Sequence, residues 1–250
     1  MCGRYTAVKN FDQLAKKAGT FVRGVPYVPR YNIAPTQLAP VIFQDGGQPT
    51  VKLMRWGLIP FWAKDETTGG MLVNARVETL AGKAAFRESF KRRRCLVPAD
   101  GFYEWKEREG KRQPFRVVLR SGEPFCFAGL WDRWIRPVAE ESVTAGQARA
   151  QSGEVIDSFA IITRAAIATV APLHDRMPVI LAPEHFEDWL ADAAPPGAGQ
   201  LPALEHPLDE PLKIYPVTNL VNHPGMEDPR CLDLVRIERD LFETQWWEDR

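Results

Sequence analysis

The chain begins Met1-Cys2-Gly3-Arg4, which places a cysteine directly after the initiator methionine. If Met1 is removed, as is usual before a small residue, Cys2 carries a free α-amine beside its thiol. Their ordinary pKa values, roughly 7.7–8.0 and about 8.5, predict that both are nucleophilic near neutral pH without help. Such an aminothiol attacks an aldehyde as amine, giving an imine, and then closes through sulfur to a thiazolidine; alternatively, the thiolate attacks an acyl carbon. The alternative, if the position is taken alone, is a cysteine that lies on a frayed terminus and has no chemical role.

Two further side chains are candidates for proton transfer. Glu104 lies in Phe102-Tyr103-Glu104-Trp105, where it alternates faces with aromatic residues if the segment is a strand. A carboxylate that loses hydration among aromatic rings has a raised pKa, which suits a general acid or base; a glutamate facing water is the alternative. His174 precedes Asp175 and Arg176 in a polar loop, and these neighbours can bias its tautomer or charge. A purely structural histidine is the alternative there.

Polar and aromatic residues elsewhere are candidates for binding. Asn74, in an extended segment before a predicted helix, can donate an amide N–H to an oxyanion or a sugar oxygen, although it can equally cap the helix. Arginine guanidinium groups bind phosphates, and exposed aromatic rings stack on bases. Arg4, Arg76 and the arginines near Arg94 therefore indicate a groove that binds a single strand of nucleic acid. The aromatic residues beside this groove are Trp56, Phe61 and Trp62. Ordinary core and rim positions are the alternative.

The composition narrows the class of protein. With 250 residues, of which 45% are hydrophobic and 26% charged, the chain can form one domain with a full core. Its formal net charge is zero, so the protein as a whole does not attract nucleic acid or anionic membranes. Any site for a polyanion must therefore come from a local cluster of positive charges. The four cysteines are widely spaced without a C-x-x-C pattern, and no histidine spacing suggests a metal site. We therefore expect neither metal nor cofactor.

The same features bear on location and assembly. No apolar run approaches about 18 residues, and the start lacks a signal-peptide pattern. We expect no membrane association, a cytoplasmic location, association with the nucleoid if the source is bacterial, and a monomer.

Local patterns predict many strands and few helices. Apolar spacing predicts short helices at 11–18, 83–91 and 183–192. Apolar runs bounded by turn residues predict strands at 41–43, 51–56, 95–98, 102–106, 115–119, 125–130, 155–163, 179–181 and 212–217. We predict an α+β fold with a mostly antiparallel, curved or barrel-like β-sheet core and a few flanking helices. A single domain is expected over residues 1–235, with a surface insertion at about 136–153 and a charged tail at 236–250.

Six motifs in order resemble the SOS-response-associated peptidase family, often called the SRAP domain. Each motif is weak alone, but six in this order, running from residue 1 to about 230, are highly specific. They are Met1-Cys2-Gly3-Arg4-Tyr5, Arg30-Tyr31-Asn32-Ile33-Ala34-Pro35, Trp56-Gly57-Leu58-Ile59-Pro60, Asn74-Ala75-Arg76-Val77-Glu78-Thr79, Cys95-Leu96-Val97-Pro98-Ala99-Asp100-Gly101-Phe102-Tyr103-Glu104-Trp105 and His174-Asp175-Arg176-Met177-Pro178. Position 61, just after the third motif, is Phe where some relatives have another residue.

The resemblance implies a protein that binds single-stranded DNA and captures abasic sites as a thiazolidine crosslink through its N-terminal cysteine. It implies removal of Met1 by the protein itself, hence the peptidase name, and a possible lyase activity at abasic sites. The family's catalytic residues would be Cys2, Asn74, Glu104 and His174. The DNA-binding residues would be Arg4, Arg76 and the region of Trp62.

The resemblance also assigns roles within this set. Glu104 would shuttle protons during imine formation, and Asn74 would orient the sugar or the α-amine. His174 would assist opening of the sugar ring and reversal of the crosslink.

Two other functions remain alternatives from the sequence. In an N-terminal-nucleophile amidohydrolase, a class that includes glutamine amidotransferases beginning Met-Cys-Gly, Cys2 would be an acyl nucleophile. That function leaves the aromatic segment 56–62 and the arginines unexplained. In a non-catalytic single-strand-binding module, Cys2 would have no role, and its replacement by alanine would change nothing.

Overall fold

The computed structural model describes residues 2–26, 28–108, 110–137, 153–191, 202–205, 208 and 210–237. Apart from residues 136, 137 and 153, the insertion predicted at 136–153 lies outside the described residues. The predicted tail at 236–250 also lies outside them, except for its first two positions.

Strands dominate the described part of the chain. The strands are β1 (Tyr5–Ala7), β2 (Arg30–Ile33), β3 (Leu38–Asp45), β4 (Gln48–Trp56), β5 (Asn74–Arg76), β6 (Arg94–Ala99), β7 (Gly101–Arg108), β8 (Lys111–Leu119), β9 (Phe125–Ile135), β10 (Val155–Ala165), β11 (Arg176–Pro178), β12 (Ile180–Leu181) and β13 (Leu212–Pro216). The α-helices are α1 (Asp12–Lys17), α2 (Ala84–Arg92), α3 (Phe186–Leu190) and α4 (Pro202–Glu205). Short 3₁₀ helices occur at Glu66–Met71, Val77–Thr79, Pro183–His185, Asn219–Asn222 and Pro229–Leu232.

A closed barrel forms the centre of the fold. Its strands follow the order β10, β4, β3, β6 and β9, and the ring closes because β9 pairs back with β10. Strands β5, β11 and β12 extend this sheet, and a second sheet has the order β13, β8, β7, β1 and β2. Most pairings are antiparallel, and β10 is parallel to β4 and β5. The predicted fold class is confirmed.

Apolar side chains on both faces of the barrel strands explain this arrangement. A buried strand was predicted at 155–163, and β10 is buried from Asp157 to Thr163, whereas Val155 is exposed. One apolar cluster joins strands of the barrel to strands of the second sheet and includes Trp56, Phe127 and Phe159, while a second includes Phe86 of α2 and Trp189 of α3. Burial of such rings is the largest favourable contribution to folding.

The hairpin between β3 and β4 contains two of the predicted strands, at 41–43 and 51–56. Asp45 pairs with Gln48, and the two intervening glycines, Gly46 and Gly47, both have positive φ, at 57° and 80°. A two-residue turn with positive φ at both positions matches the right-handed twist of the flanking strands, and glycine adopts it without a steric penalty.

Strands that pair over long sequence distances were predicted less well. No strand was predicted before residue 41, but Arg30–Ile33 is β2 and pairs with β1. The polar loop predicted around His174 ends in β11, which pairs with β10. Asp100-Gly101 connects β6 and β7 across two different sheets, so these strands do not pair with each other. No helix in the described part of the chain is both long and apolar enough to span a bilayer.

Candidate active site

Pairing of β1 with β7 places the start of the chain beside Glu104. Tyr5 lies opposite Phe102, and the Tyr103 N–H donates to the Arg4 carbonyl oxygen at 3.0 Å. Residues 2–4 therefore continue antiparallel to the part of β7 that carries Glu104.

Asn74 fixes the backbone of Cys2 from another direction. Its Nδ2 donates to the Cys2 carbonyl oxygen at 2.7 Å. Asn74 begins β5, which is held against β10 opposite Ile161. The same strand β10 pairs with β11 at Arg176, two residues after His174. Strand β10 therefore supports both Asn74 and the loop that carries His174.

A cavity of about 500 Å³ lies at the meeting point of these elements. It brings together three of the predicted site residues, Arg4, Glu104 and His174. The lining residues are Gly3, Arg4, Glu104, Trp105, Arg112, His174 and Asn222. A space of this size accommodates a small ligand or one unit of a larger one.

Glu104 is buried, with 3% of its surface exposed. Loss of hydration raises its pKa from 4.5 to about 7, against the opposing effects of the positive charge at the amino terminus and of Arg112. The sequence-based expectation of a raised pKa agrees with this burial. A carboxyl group with this pKa exists in both protonation states at neutral pH, as a general acid–base group requires.

The Cys2 thiol is completely buried and donates to the Arg4 carbonyl oxygen at 3.6 Å. Burial, followed by the negative charge of Glu104, raises the pKa of this thiol well above its ordinary value. The expectation that the thiol is nucleophilic near neutral pH without help is therefore wrong in this environment. Any nucleophilic reaction of this thiol would require a base that removes the proton as sulfur attacks.

His174 is partly buried, and its hydrogen bond with the backbone indicates a neutral ring. Its Nδ1 accepts from the Arg176 backbone N–H at 3.0 Å, which leaves the proton on Nε2. The same Nδ1 lies 2.7 Å from Asp175 Oδ1, a contact that is favourable only when Nδ1 is protonated. Burial and the charge at the amino terminus lower the pKa of His174, which favours the neutral ring.

Cationic and aromatic side chains form one wall of the cavity. Arg4 Nη1 donates to Asn32 Oδ1 at 2.9 Å and to the Val221 carbonyl oxygen at 2.7 Å. The guanidinium groups of Arg4 and Arg112 lie 6.0 Å and 5.9 Å from the centre of the Trp105 ring. This wall suits an anionic ligand.

Three residues of the cavity were missed from the sequence. Trp105 Nε1 donates to Asn222 Oδ1 at 2.6 Å, and Arg112 is the cross-strand partner of Glu107. Trp105 could have been predicted, because it is adjacent to Glu104 in the sequence. The contributions of Arg112 and Asn222 depend on long-range packing that no local pattern reports.

The predicted DNA-binding residues divide into different environments. Phe61 and Trp62, in the loop after β4, are 54% and 53% exposed. Arg76 is exposed and lines a separate cavity of about 510 Å³ with Glu78, Thr79, Gly82 and Lys83.

Two predicted contacts must be corrected. Trp56 is completely buried, donates from Nε1 to the Val73 carbonyl oxygen at 2.9 Å and stacks on Phe159, so it presents no face to a base. Arg94 is also buried, and its guanidinium donates to backbone carbonyl groups of Phe90 and Trp189 at 2.9 Å and 2.7 Å. Both residues stabilise the core instead of forming a binding groove.

Comparison with known proteins indicates a single family. The family model described as SOS response associated peptidase (SRAP) matches residues 1–224. Abasic site processing protein YoqW of Bacillus subtilis is 37% identical over 237 residues, covering 93% of this chain and 99% of that protein. Abasic site processing protein YedK of Escherichia coli is 30% identical over 195 residues, covering 76% and 79%. Abasic site processing protein HMCES of Xenopus tropicalis is 31% identical over 239 residues, covering 84% and 67%.

Solved structures have the same fold. A Bacteroides thetaiotaomicron protein superposes with a TM-score of 0.75 at 24% identity, covering 94% of this chain and 100% of its own. A Bordetella bronchiseptica protein has a TM-score of 0.63 at 27% identity, covering 87% and 100%.

Proposed function

The chain belongs to the SOS response associated peptidase family, and on this premise we propose that it captures abasic sites in single-stranded DNA. Capture is covalent, through Cys2 after removal of Met1. The observation that carries the proposal is that Gly3, next to Cys2, lines the cavity that contains Glu104 and His174, while Asn74 holds the Cys2 backbone. The shared name of the curated relatives supports a role in the response to DNA damage.

The bond-forming steps follow from the chemistry of an aldehyde and an aminothiol. The Cys2 α-amine adds to the aldehyde of the ring-opened abasic sugar and forms a carbinolamine. Protonated Glu104 donates to the hydroxyl group, which leaves as water, and an iminium ion results. The Glu104 carboxylate then takes the thiol proton while sulfur bonds to the iminium carbon. One aldehyde and one aminothiol thus give one thiazolidine and one water, and Glu104 is protonated again.

The environment of each group supports its step. A Glu104 pKa of about 7 allows the carboxyl group to act first as acid and then as base. The raised pKa of the buried Cys2 thiol keeps its proton in place until Glu104 removes it. Because the pKa of His174 is lowered, its imidazolium is a stronger acid than usual and donates a proton to the sugar ring oxygen as the ring opens. The neutral imidazole that results takes up the proton of the C1 hydroxyl group.

A denaturing gel after incubation with a single strand containing one abasic site tests the proposal. A heat-stable band of reduced mobility supports covalent capture. The Cys231→Ser variant is the matched control and should give the same band, because Cys231 is another buried cysteine. A non-catalytic binding module would shift DNA only on a native gel. An amidohydrolase would give no band and would hydrolyse an amide such as glutamine.

Replacement of His174 by glutamine is expected to slow crosslinking by about 10²-fold, since general acid help is lost while a neutral polar side chain remains. The rate is measured as single-turnover adduct formation. A control oligonucleotide carries an open-chain aldehyde in place of the abasic sugar. If His174 assists ring opening, the variant reacts with this control as fast as the wild type does. Equal slowing on both substrates, or loss of thermal stability with normal kinetics, would contradict this role.

Binding is expected to favour single-stranded DNA over a duplex of the same length, because the exposed rings of Phe61 and Trp62 can stack only on unpaired bases. The logarithm of affinity should fall with the logarithm of salt concentration with a shallow slope of about −2, since a neutral chain contacts few phosphates. Fluorescence anisotropy across a salt series measures both effects. Equal affinity for the duplex would count against the proposal.

A further inference from the structure

Asp132 occupies a position in β9 where an apolar residue is expected. Leu130 and Trp134, two positions before and after it, are buried and share its side of the strand. Asp132 is 2% exposed. A buried carboxylate is costly unless it is paired and hydrogen-bonded, so its partners indicate what it does.

Those partners come from three different elements. Asp132 Oδ2 accepts from the Phe61 backbone N–H at 3.1 Å and from the Ser89 hydroxyl of α2 at 3.3 Å. Its Oδ1 accepts from the Arg133 backbone N–H at 2.8 Å and lies 3.2 Å from Arg93 Nε in an ion pair. One carboxylate therefore joins β9, the end of α2 and the loop after β4.

Residues 59–63, named here the aromatic loop, are fixed at both ends as well. The Ile59 N–H donates to Ser158 Oγ at 2.8 Å, and Trp134 Nε1 donates to the Ala63 carbonyl oxygen at 2.7 Å. Asp132 holds the middle of the loop at Phe61. The loop backbone is thus anchored to β9 and β10, while the rings of Phe61 and Trp62 remain more than half exposed.

Arg93 completes this surface. Its guanidinium carbon lies 5.7 Å from the centre of the Phe61 ring, and its side chain is 27% exposed. The Arg93 carbonyl oxygen also accepts from the Trp131 N–H at 2.8 Å, which fixes the backbone at the end of α2 against β9. The Arg93 guanidinium therefore lies over the Phe61 ring while Asp132 holds the Phe61 backbone N–H and Arg93 Nε.

We infer that Asp132 is a positioning residue for single-stranded DNA: it holds the Phe61 ring and the Arg93 guanidinium together, so that a base stacks on the ring while a phosphate pairs with the guanidinium. Base stacking on an aromatic ring and charge along the backbone are the two contributions that single-strand binding needs. This inference rests on the proposed function, because it assumes that single-stranded DNA is the ligand.

The test compares two buried carboxylates of adjacent strands. Asp132→Asn preserves the shape of the side chain and removes the charge that pairs with Arg93. Asp157→Asn is the matched control, because Asp157 is also buried and pairs with Arg133 at 2.7 Å and with Lys52, without contact to the aromatic loop. The Kd for an undamaged single-stranded oligonucleotide is measured by anisotropy, and single-turnover crosslinking is measured at saturating abasic DNA.

We expect Asp132→Asn to raise the Kd about tenfold, within the range of one lost stacking contact, and to leave the saturated crosslinking rate within about twofold of wild type. Asp157→Asn should change neither quantity. In a Phe61→Ala, Trp62→Ala background, Asp132→Asn should raise the Kd by a smaller factor, because only the placement of Arg93 remains to be lost. Arg93→Gln should raise the Kd as well, and it provides the test if Asp132→Asn fails to fold.

Several outcomes would overturn the inference. These are an unchanged Kd in folded Asp132→Asn or in Arg93→Gln, an equal loss in Asp157→Asn, or a full effect of Asp132→Asn without the two rings. If the wild-type protein itself does not bind single-stranded DNA, the proposed function fails and the inference fails with it. If the wild type binds and crosslinks while Asp132→Asn matches it, only the inference fails.

Discussion

Replacement of Cys2 by serine is expected to abolish the heat-stable adduct with abasic single-stranded DNA. Thiazolidine formation needs an amine and a thiol on the same residue, and serine retains only the amine and a hydroxyl group. The variant should still form a reversible imine, which borohydride reduction traps as a stable secondary amine. Intact mass spectrometry and a denaturing gel, with and without borohydride, distinguish these products.

Retention of Met1 is expected to have an equally large effect for a different reason. An uncleaved residue or tag before Cys2 converts its α-amine into an amide, while the thiol remains. If the aminothiol mechanism holds, the stable adduct disappears and borohydride traps nothing on Cys2. The Cys231→Ser control should crosslink normally. If tagged protein crosslinked as well as processed protein, a plain thiol addition or the amidohydrolase function would be favoured instead.

Replacement of Glu104 by glutamine is expected to slow crosslinking by about 10²–10⁴-fold, because glutamine neither donates nor accepts a proton as a carboxyl group does. Affinity for undamaged single-stranded DNA should change little, since the variant retains a side chain of the same shape. Single-turnover rates and anisotropy measure the two effects separately. An unchanged crosslinking rate would remove Glu104 from the mechanism.

The pH dependence of the rate provides a second test of Glu104. With a pKa of about 7, the carboxyl group is largely protonated at pH 6 and largely ionised at pH 8. The wild-type rate should therefore change near pH 7, and this change should be absent from the glutamine variant. A profile that kept the same inflection in the variant would assign it to another group.

The Glu104→Gln variant is expected to lose activity without losing stability. The pKa of Glu104 is raised on folding, so the folded state binds more protons than the unfolded state between about pH 4.5 and 7. The free energy of unfolding therefore falls as pH rises through this window. Glutamine removes this cost, so the variant should be at least as stable as wild type at pH 8. Thermal unfolding at pH 5 and pH 8 shows whether the difference increases with pH.

Local sequence patterns were enough for much of the fold and for the identity of the reactive groups. Adjacent glycines at 46 and 47 defined the β3–β4 turn, because only their own backbone angles matter there. The apolar run of β10 predicted a buried strand, since its burial follows from its own side chains. The order of six motifs identified the family, and the position of Cys2 after Met1 defined the possible aminothiol chemistry.

The environment of those groups depended on the tertiary structure. Closure of the barrel by pairing of β10 with β4 and β9 buries Trp56, whereas Phe61 and Trp62, a few residues later, stay exposed. All three rings have the same local character, so their sequence could not separate core from surface. The sequence predicted a Cys2 thiol that is nucleophilic without help, but packing around residue 2 buries this thiol and raises its pKa.

The polar contacts across sheets were also decided only by the tertiary structure. Asn74 and Cys2 are far apart in the chain, and they meet where β5, paired with β10, lies beside the start of the chain. Asp132 contacts Phe61 and Arg93 because β9, α2 and the aromatic loop converge at one point. A sequence pattern records which side chains are adjacent along one element. Burial and electrostatic pairing depend on which distant elements close around them, and that information exists only in the folded chain.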